Sequence, residues 1–259
     1  QQNRQTRKDE IKDKMKAYHM ELGQVDYKTA WNLQKRIHLY KQKNKFEDII
    51  ITLQHNPVYT LGKSGDRNHI LITDEEMRSR GISYYEIDRG GDITYHGPGQ
   101  LVLYPIFDLN NHYKDTHRFL RDLEEAVIRT LKEYNTAGYR DEEFTGVWVD
   151  EKKICAIGIK VSRWVTMHGL AFNINIDLSY FDKIIPCGIF HKGVTSLSEI
   201  TGKQINLKEI SRILLSKFRI IFNLSSIETI EPEELSALTE LNIDRNINFG
   251  AATRNSENS

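Results

Sequence analysis

Cysteine is scarce in this chain, with only Cys155 and Cys187 in 259 residues. Two thiols cannot build a disulfide framework, and they are too few for a thiolate zinc site unless histidine completes it. A reducing, cytoplasmic setting is therefore expected. No run of about 18 apolar residues is present, so no membrane span is expected. The first residues contain no apolar segment of the kind a signal peptide needs. Net charge is absent too, because 36 Lys and Arg balance 36 Asp and Glu. A general nucleic-acid binder needs a basic excess or a dense basic face, so that class is set aside. There is no internal repeat and no low-complexity linker.

The charge that exists is unevenly spread. Residues 1–17 hold six basic and three acidic side chains, and residues 226–259 hold two basic and seven acidic. Both ends read as solvated tails. The expected organisation is a polar extension over 1–19, a folded domain over 20–225 and an acidic tail over 226–259.

Between the ends, apolar spacing predicts an amphipathic helix over 27–43, with Asp26 as its N-cap. Strands are expected at 49–53, 58–61 and 82–87, with a short helix at 73–80 stopped by Gly81. A strand at 101–106 and a long helix at 116–134 follow. Two strands, 146–149 and 153–161, are joined by a turn at Asp150-Glu151-Lys152. Further strands are expected at 164–166 and 170–176, a helical turn at 178–184 and a last amphipathic helix at 207–222. Many hairpin strands with a few helices indicate an α+β fold around a mixed, largely antiparallel sheet.

Residues 89–100 carry four glycines and a proline in twelve positions, which excludes a regular helix. The stretch lacks the Gly-Lys-Ser/Thr of a phosphate-binding loop and the spacing of a dinucleotide fingerprint. What remains is a loop whose backbone amides approach a ligand closely. His96 and His168 each precede a glycine, but neither has the partner spacing of a metal ligand, so no metal is expected. His96 could orient a substrate or water, or make a structural loop hydrogen bond.

Cys155 lies mid-strand, where side chains alternate, and reads as a small core residue facing with Ile157, Ile159 and Val161. Cys187 sits between Pro186 and Gly188, outside any periodic core position, so a reactive role is open to it. Lys153 precedes Cys155 by two and takes the same apolar parity. Either it is partly desolvated there, which favours the neutral amine, or it begins the strand at the surface.

Taken together, several segments resemble the lipoyl(octanoyl) transferase family, which is related to the biotin and lipoate protein ligases. They are Arg89-Gly90-Gly91-Asp92-Ile93-Thr94-Tyr95-His96-Gly97-Pro98-Gly99-Gln100 with the following Leu-Val-Leu-Tyr-Pro, Lys153-Ile154-Cys155-Ala156-Ile157-Gly158, and residues 163–173 around Met167-His168-Gly169-Leu170-Ala171. Pro186-Cys187-Gly188-Ile189, Val194-Thr195-Ser196-Leu197 and the approach over 54–62 complete the likeness, which covers about residues 20–223. Cys155 departs from it, since alanine is as typical there.

The resemblance implies the catalytic-domain fold of those ligases. It implies transfer of an octanoyl group from octanoyl-acyl-carrier protein to a lysine of lipoyl domains, in 2-oxoacid dehydrogenase complexes and the glycine cleavage H protein. Cys187 is then the nucleophile and Lys153 its partner. Arg89, Gly90, Gly91, Asp92, Ile93, Thr94, Tyr95, His96, Ala156, Ile157, Gly158, Gly169, Leu170 and Ala171 line the substrate pocket. No ATP or metal is required, no nucleic acid or membrane is involved, and a monomer is implied.

The chemistry suits those residues. Thioester exchange is nearly balanced, the attacking species is a thiolate of ordinary pKa about 8.5, and an ammonium beside it stabilises it. Burying about seven methylene and methyl groups at roughly 0.8 kcal/mol each anchors the chain by several kcal/mol. Small residues at 156, 158, 169 and 171 leave it room. Oxyanion donors are expected near Gly188 or Gly158. Two rivals remain: an ATP-dependent lipoate or biotin ligase of the same fold, and an inactive binder of carrier domains.

Overall fold

The computed structural model describes residues 15–185 and 193–241. Two sheets organise it. The larger has eight strands in the order β11-β1-β2-β6-β10-β9-β8-β7. These are β1 (Ala17–Val25), β2 (Asp48–His55), β6 (Gln100–Ile106), β7 (Tyr139–Arg140), β8 (Val147–Val149), β9 (Lys152–Ser162), β10 (Val165–Asn173) and β11 (Ile227–Thr229). β1 runs parallel to both β2 and β11, and the other pairings are antiparallel. The smaller sheet has the order β4-β3-β5, from β3 (Val58–Leu61), β4 (Ser83–Glu86) and β5 (Ile93–His96).

Helices cover the large sheet on both faces. One face packs on α3 (Thr116–Lys132) and α5 (Leu207–Ile221), whose Leu123, Val127, Leu214 and Phe218 join Leu103, Leu170 and Phe172 in one core. The other packs on α1 (Tyr27–Lys41), through Leu33 and Ile37 against Val102 and Val165. Local chemistry sets the helix starts. Asp26, Asp115 and Asn206 each accept an N-terminal amide of the helix they precede, and Thr73 does so for α2 (Asp74–Ser79). α4 (Leu197–Thr201) and α6 (Pro232–Thr239) complete the set.

The strands at 164–166 and 170–176 expected from sequence are one strand, β10, buried at every position. Its centre, Met167-His168-Gly169, has no apolar alternation because both faces are covered. β11 and α6 come from residues that the charge pattern assigns to the acidic tail, and β1 begins inside the polar extension.

One irregularity positions the site. Between β8 and β9, Trp148 pairs with Lys153 but Val147 pairs with Cys155. Ile154 is therefore an extra residue, a β-bulge. Ile154 and Cys155 both enter the core beneath α3 and α5. The parity that put Lys153 on the face of Cys155 thus fails. The bulge turns Lys153 to the opposite side of the sheet, toward the small sheet.

Two predictions follow from this packing. A Cβ on Gly169 would lie 2.1 Å from Leu103 O and 2.6 Å from Pro105 Cδ. Its bareness lets β10 approach β6, so Gly169→Ala lowers the urea midpoint by an amount worth about 1–3 kcal/mol.

The second concerns acid. Burial lowers the pKa of His19, His38 and His55, the last to about 4. Unfolded imidazoles titrate near 6.5. Below that pH the unfolded chain binds protons that the folded chain refuses, so stability is full above about 6.5 and falls as pH drops toward 4. For His55 the loss is at most about 3 kcal/mol. His55→Gln flattens the fall in unfolding free energy between pH 7 and 4.5, and equal slopes in the two proteins would refute the assignment.

Candidate active site

A cavity of about 220 Å³ lies between the large sheet and the small one. Its floor is built from β9 and β10, where Ala156 sits opposite Ala171 and Gly158 opposite Gly169. Ile157 and Leu170 add to the same wall. The opposing wall is the glycine-rich stretch: Arg89, Gly91, Asp92, Ile93, Thr94 and His96 all line the cavity. Among the described residues expected to line the pocket, Gly90 and Tyr95 alone do not. Gly90 donates its amide to Ile159 O at 3.0 Å, which ties the loop to β9. Tyr95 points the other way on β5, stacked on Tyr180 in the small sheet's own core.

The glycine-rich loop is held tightly. Lys63 N donates to Arg89 O at 3.0 Å and Ser64 N to Gly91 O at 3.3 Å. A Cβ on Gly62 would lie 2.2 Å from Gly91 O, so only glycine permits that approach. The Arg89 guanidinium donates to Thr60 O at 2.8 Å and to Gly90 O at 3.0 Å. Asp92 accepts from Ile93 N at 2.7 Å and from His69 Nδ1 at 2.5 Å.

Lys153 stands at one end, its ammonium 4.8 Å from the centre of the Trp148 ring, an attractive cation–π distance. Its backbone is fixed on both sides, N–H to Gly193 O at 2.9 Å and C=O from Thr195 N at 3.0 Å. Its aliphatic stem passes over Gly146, whose φ of +132° suits glycine alone. Gly146 N is accepted by Glu124 at 3.0 Å, a fully buried carboxylate on α3 that also pairs with Arg121 and Arg140. Sequence reading passed over Glu124. Its signal was an acidic residue on the apolar face of α3, beside Leu123 and Val127.

Cys187, expected as the nucleophile, lies outside the described residues. Its described neighbours in sequence are anchored near the cavity. Ile185 N donates to His69 O at 2.8 Å, and Val194 lines the cavity wall. Cys155 is fully buried on the helix side of the sheet, and burial pushes its thiol pKa up, away from a thiolate.

Polar side chains line the cavity as well. His96 Nδ1 donates to Gln100 Oε1 at 2.8 Å, and Gln100 Nε2 donates to Asn173 Oδ1 at 2.9 Å. Asn173 in turn donates to Thr195 O at 3.0 Å, which links this wall to the segment that fixes Lys153. Tyr104 donates to His55 Nε2 at 2.7 Å, while His55 Nδ1 donates to Val25 O. Burial, and then the neighbouring His55, hold the His96 pKa well below the ordinary value.

His168 Nε2 donates to Asp88 Oδ1 at 2.9 Å, and Lys160 donates to the other oxygen at 2.6 Å. The hydrogen bond from His168, then Lys160, holds the Asp88 carboxyl far below its usual range. Gln100, Asn173, Tyr104 and the Asp88–His168 pair were not foreseen, because their partners are far apart in sequence. Among the described residues no cluster of three or more His, Cys, Asp or Glu could hold a metal ion. Among them, too, no helix is long and apolar enough to cross a membrane.

Residues 26–219 match the family model of the lipoyl protein ligase A/B catalytic domain. The chain is 50% identical over 218 residues to an octanoyltransferase of Christiangramia forsetii, covering 78% of this chain and 93% of the relative. It is 42% identical over 225 residues to an octanoyltransferase of Desulforamulus reducens, covering 86% and 98%. Among solved structures, a lipoate-protein ligase A bound with ATP aligns with a TM-score of 0.70 at 18% identity, over 89% of this chain and 95% of that one. A bipartite lipoate protein ligase from Thermoplasma acidophilum aligns at 0.69 and 16%, over 89% and 93%. These structures speak to the fold, a mixed sheet with helices on both faces. The chain belongs to the lipoyl protein ligase A/B catalytic-domain family and, within it, to the octanoyltransferases.

Proposed function

We propose that the chain carries the octanoyl group as a thioester on Cys187, with Lys153 as its acid–base partner. The donor is octanoyl-acyl-carrier protein. The acceptor is the lysine of a lipoyl domain, as in 2-oxoacid dehydrogenase complexes and the glycine cleavage H protein. The observation that supports this reading is Lys153 itself, a lysine turned by a bulge into a cavity floored by alanine and glycine.

In the first half-reaction the Cys187 thiolate attacks the donor carbonyl. The bond to the carrier sulfur breaks, and the leaving thiolate takes a proton from the Lys153 ammonium. In the second, the acceptor amine attacks the acyl-enzyme. It passes its proton to the now neutral Lys153, and the Cys187 thiolate leaves. A thioester is already activated, so neither step calls for ATP. The chain lies over Ala156 and Ala171, where burial of its methylenes anchors it.

Three variants test the assignment. Cys187→Ser abolishes ordinary turnover and the mass gain seen on mixing enzyme with donor, a gain that hydroxylamine removes in the wild type. Cys155→Ala, which touches only the far side of the sheet, keeps most of its activity. Were Cys155→Ala the dead variant, the roles would be reversed.

Lys153→Arg keeps a cation but cannot accept a proton at neutral pH. Acyl-enzyme formation is therefore partly retained while its aminolysis falls by about 10²–10⁴. Single-turnover mass spectrometry separates the two steps, and equal losses in both would remove Lys153 from the second.

A further inference from the structure

The bulge at Ile154 does more than turn Lys153 into the cavity. Counted on from the Val147–Cys155 pair, strict register would set Trp148 against Ile154 and Val149 against Lys153. The extra residue sets Lys153 directly opposite Trp148 instead. Residues so paired share a face of the sheet, and the Lys153 ammonium stands 4.8 Å from the centre of the Trp148 ring. That ring has little freedom. It is 1% exposed, its Nε1 donates to Phe144 O at 3.2 Å, and the Phe144 ring packs beside it at 6.3 Å. The lysine tail is confined as well, since a Cβ on Gly146 would lie 3.4 Å from Lys153 Cε.

This placement answers a difficulty that the cavity creates. Lys153 is half-buried and shares its cavity with Ala156, Ile157, Leu170 and Ala171. Loss of water disfavours an ammonium. A lysine held permanently neutral could not protonate the carrier thiolate. One of weakened basicity would be a poor acceptor for the proton of the incoming amine. An indole face offers the cation an attraction that the neutral amine does not receive.

We propose that Trp148 is a positioning residue that acts through Lys153, holding the ammonium against its π face and so keeping the lysine able both to give and to take a proton. The inference rests on the reading of Lys153 as the acid–base partner. Bonds and protons balance as in the two half-reactions. In the first, the Lys153 proton goes to the carrier thiolate as the donor carbon–sulfur bond breaks. In the second, the proton of the acceptor amine returns to Lys153 as the amide bond forms and the cysteine thiolate leaves. The ring takes part in neither step and changes only the share of Lys153 that is protonated at a given pH.

The sign of the effect follows. With a weaker ring, Lys153 gives up its proton at lower pH. Acyl-enzyme formation needs the ammonium, so its decline at high pH moves down. Aminolysis needs the neutral amine, so its rise with pH moves down too. Arg89, Asp92, His96, Glu143 and His168 share the cavity with Lys153, as do the phenols of Tyr27 and Tyr104, and Glu124 holds Gly146 N. Lys152, its neighbour on β9, pairs with Glu199. Fluorinating an indole alters none of these groups, but it drains the negative face of the ring.

The test replaces tryptophan biosynthetically with mono- and difluorotryptophan, which label Trp31, Trp148 and Trp164 alike. Single-turnover acyl-enzyme formation from octanoyl-acyl-carrier protein, and its aminolysis by a lipoyl domain, are followed across pH by mass spectrometry. Both limbs are expected to move down stepwise, by about half a pH unit in all. In Trp148→Phe, whose ring holds a cation more weakly, both limbs start lower, and fluorination of Trp31 and Trp164 moves neither. A merely structural role for Trp148 would slow both steps at every pH and leave the limbs in place. Limbs that fluorination does not move, or that it moves equally in Trp148→Phe, overturn the inference. Were the limbs still present in Lys153→Arg, the reading of Lys153 as the acid–base partner would fall instead.

Discussion

The site depends on a single surplus residue. Without the bulge at Ile154, strict alternation would bury Lys153 with Cys155 under α3 and α5, where an ammonium would find a hydrocarbon core. With it, the two apolar residues take the core side and the lysine takes the cavity side. The same strand thus serves two masters at once: from Cys155 it builds the main core, and from Lys153, Ala156 and Gly158 it floors a ligand site. Gly146 and Glu124 then keep the space beside the lysine stem clear and the neighbouring loop in place.

Much of the fold was legible. α1, α3 and α5 announce themselves through apolar spacing and through Asp26, Asp115 and Asn206 at their starts. β3 and the hairpin of β8 and β9 are equally plain, whereas β10 reads from sequence as two strands. β1 is not, because its exposed positions Glu21, Gly23 and Gln24 interrupt any alternation. β11 and α6 are short and lie in an acidic stretch, where charge density suggests solvent. The bulge is invisible for a deeper reason: isoleucine at position 154 fits either parity, and only the register against β8 reveals the extra residue.

The site divides in the same way. The glycine-rich loop and the small residues of β9 and β10 can be read from composition, since glycine and alanine are what a close-fitting wall requires. Yet composition overstates them as room for substrate. Gly169 is bare first for the sake of Leu103 and Pro105, and Tyr95, which only the family resemblance set in the pocket, belongs to another core altogether. The polar lining of the cavity could not be read at all. Asp88 and His168 are 80 residues apart, and nothing local to either one names the other.

The parallel ladder β11-β1-β2 carries a consequence for how the molecule is made. Ala17 pairs with Ile227, so an early strand of the described chain is completed by one of the last. During synthesis β1 can dock on β2 as soon as residue 55 is free, but its other edge stays open until β11, at Ile227–Thr229, has emerged. Contacts of such separation form late and slowly. Until β11 emerges the nascent chain therefore displays an unpaired, sticky flank, and β11 acts as the closing stitch.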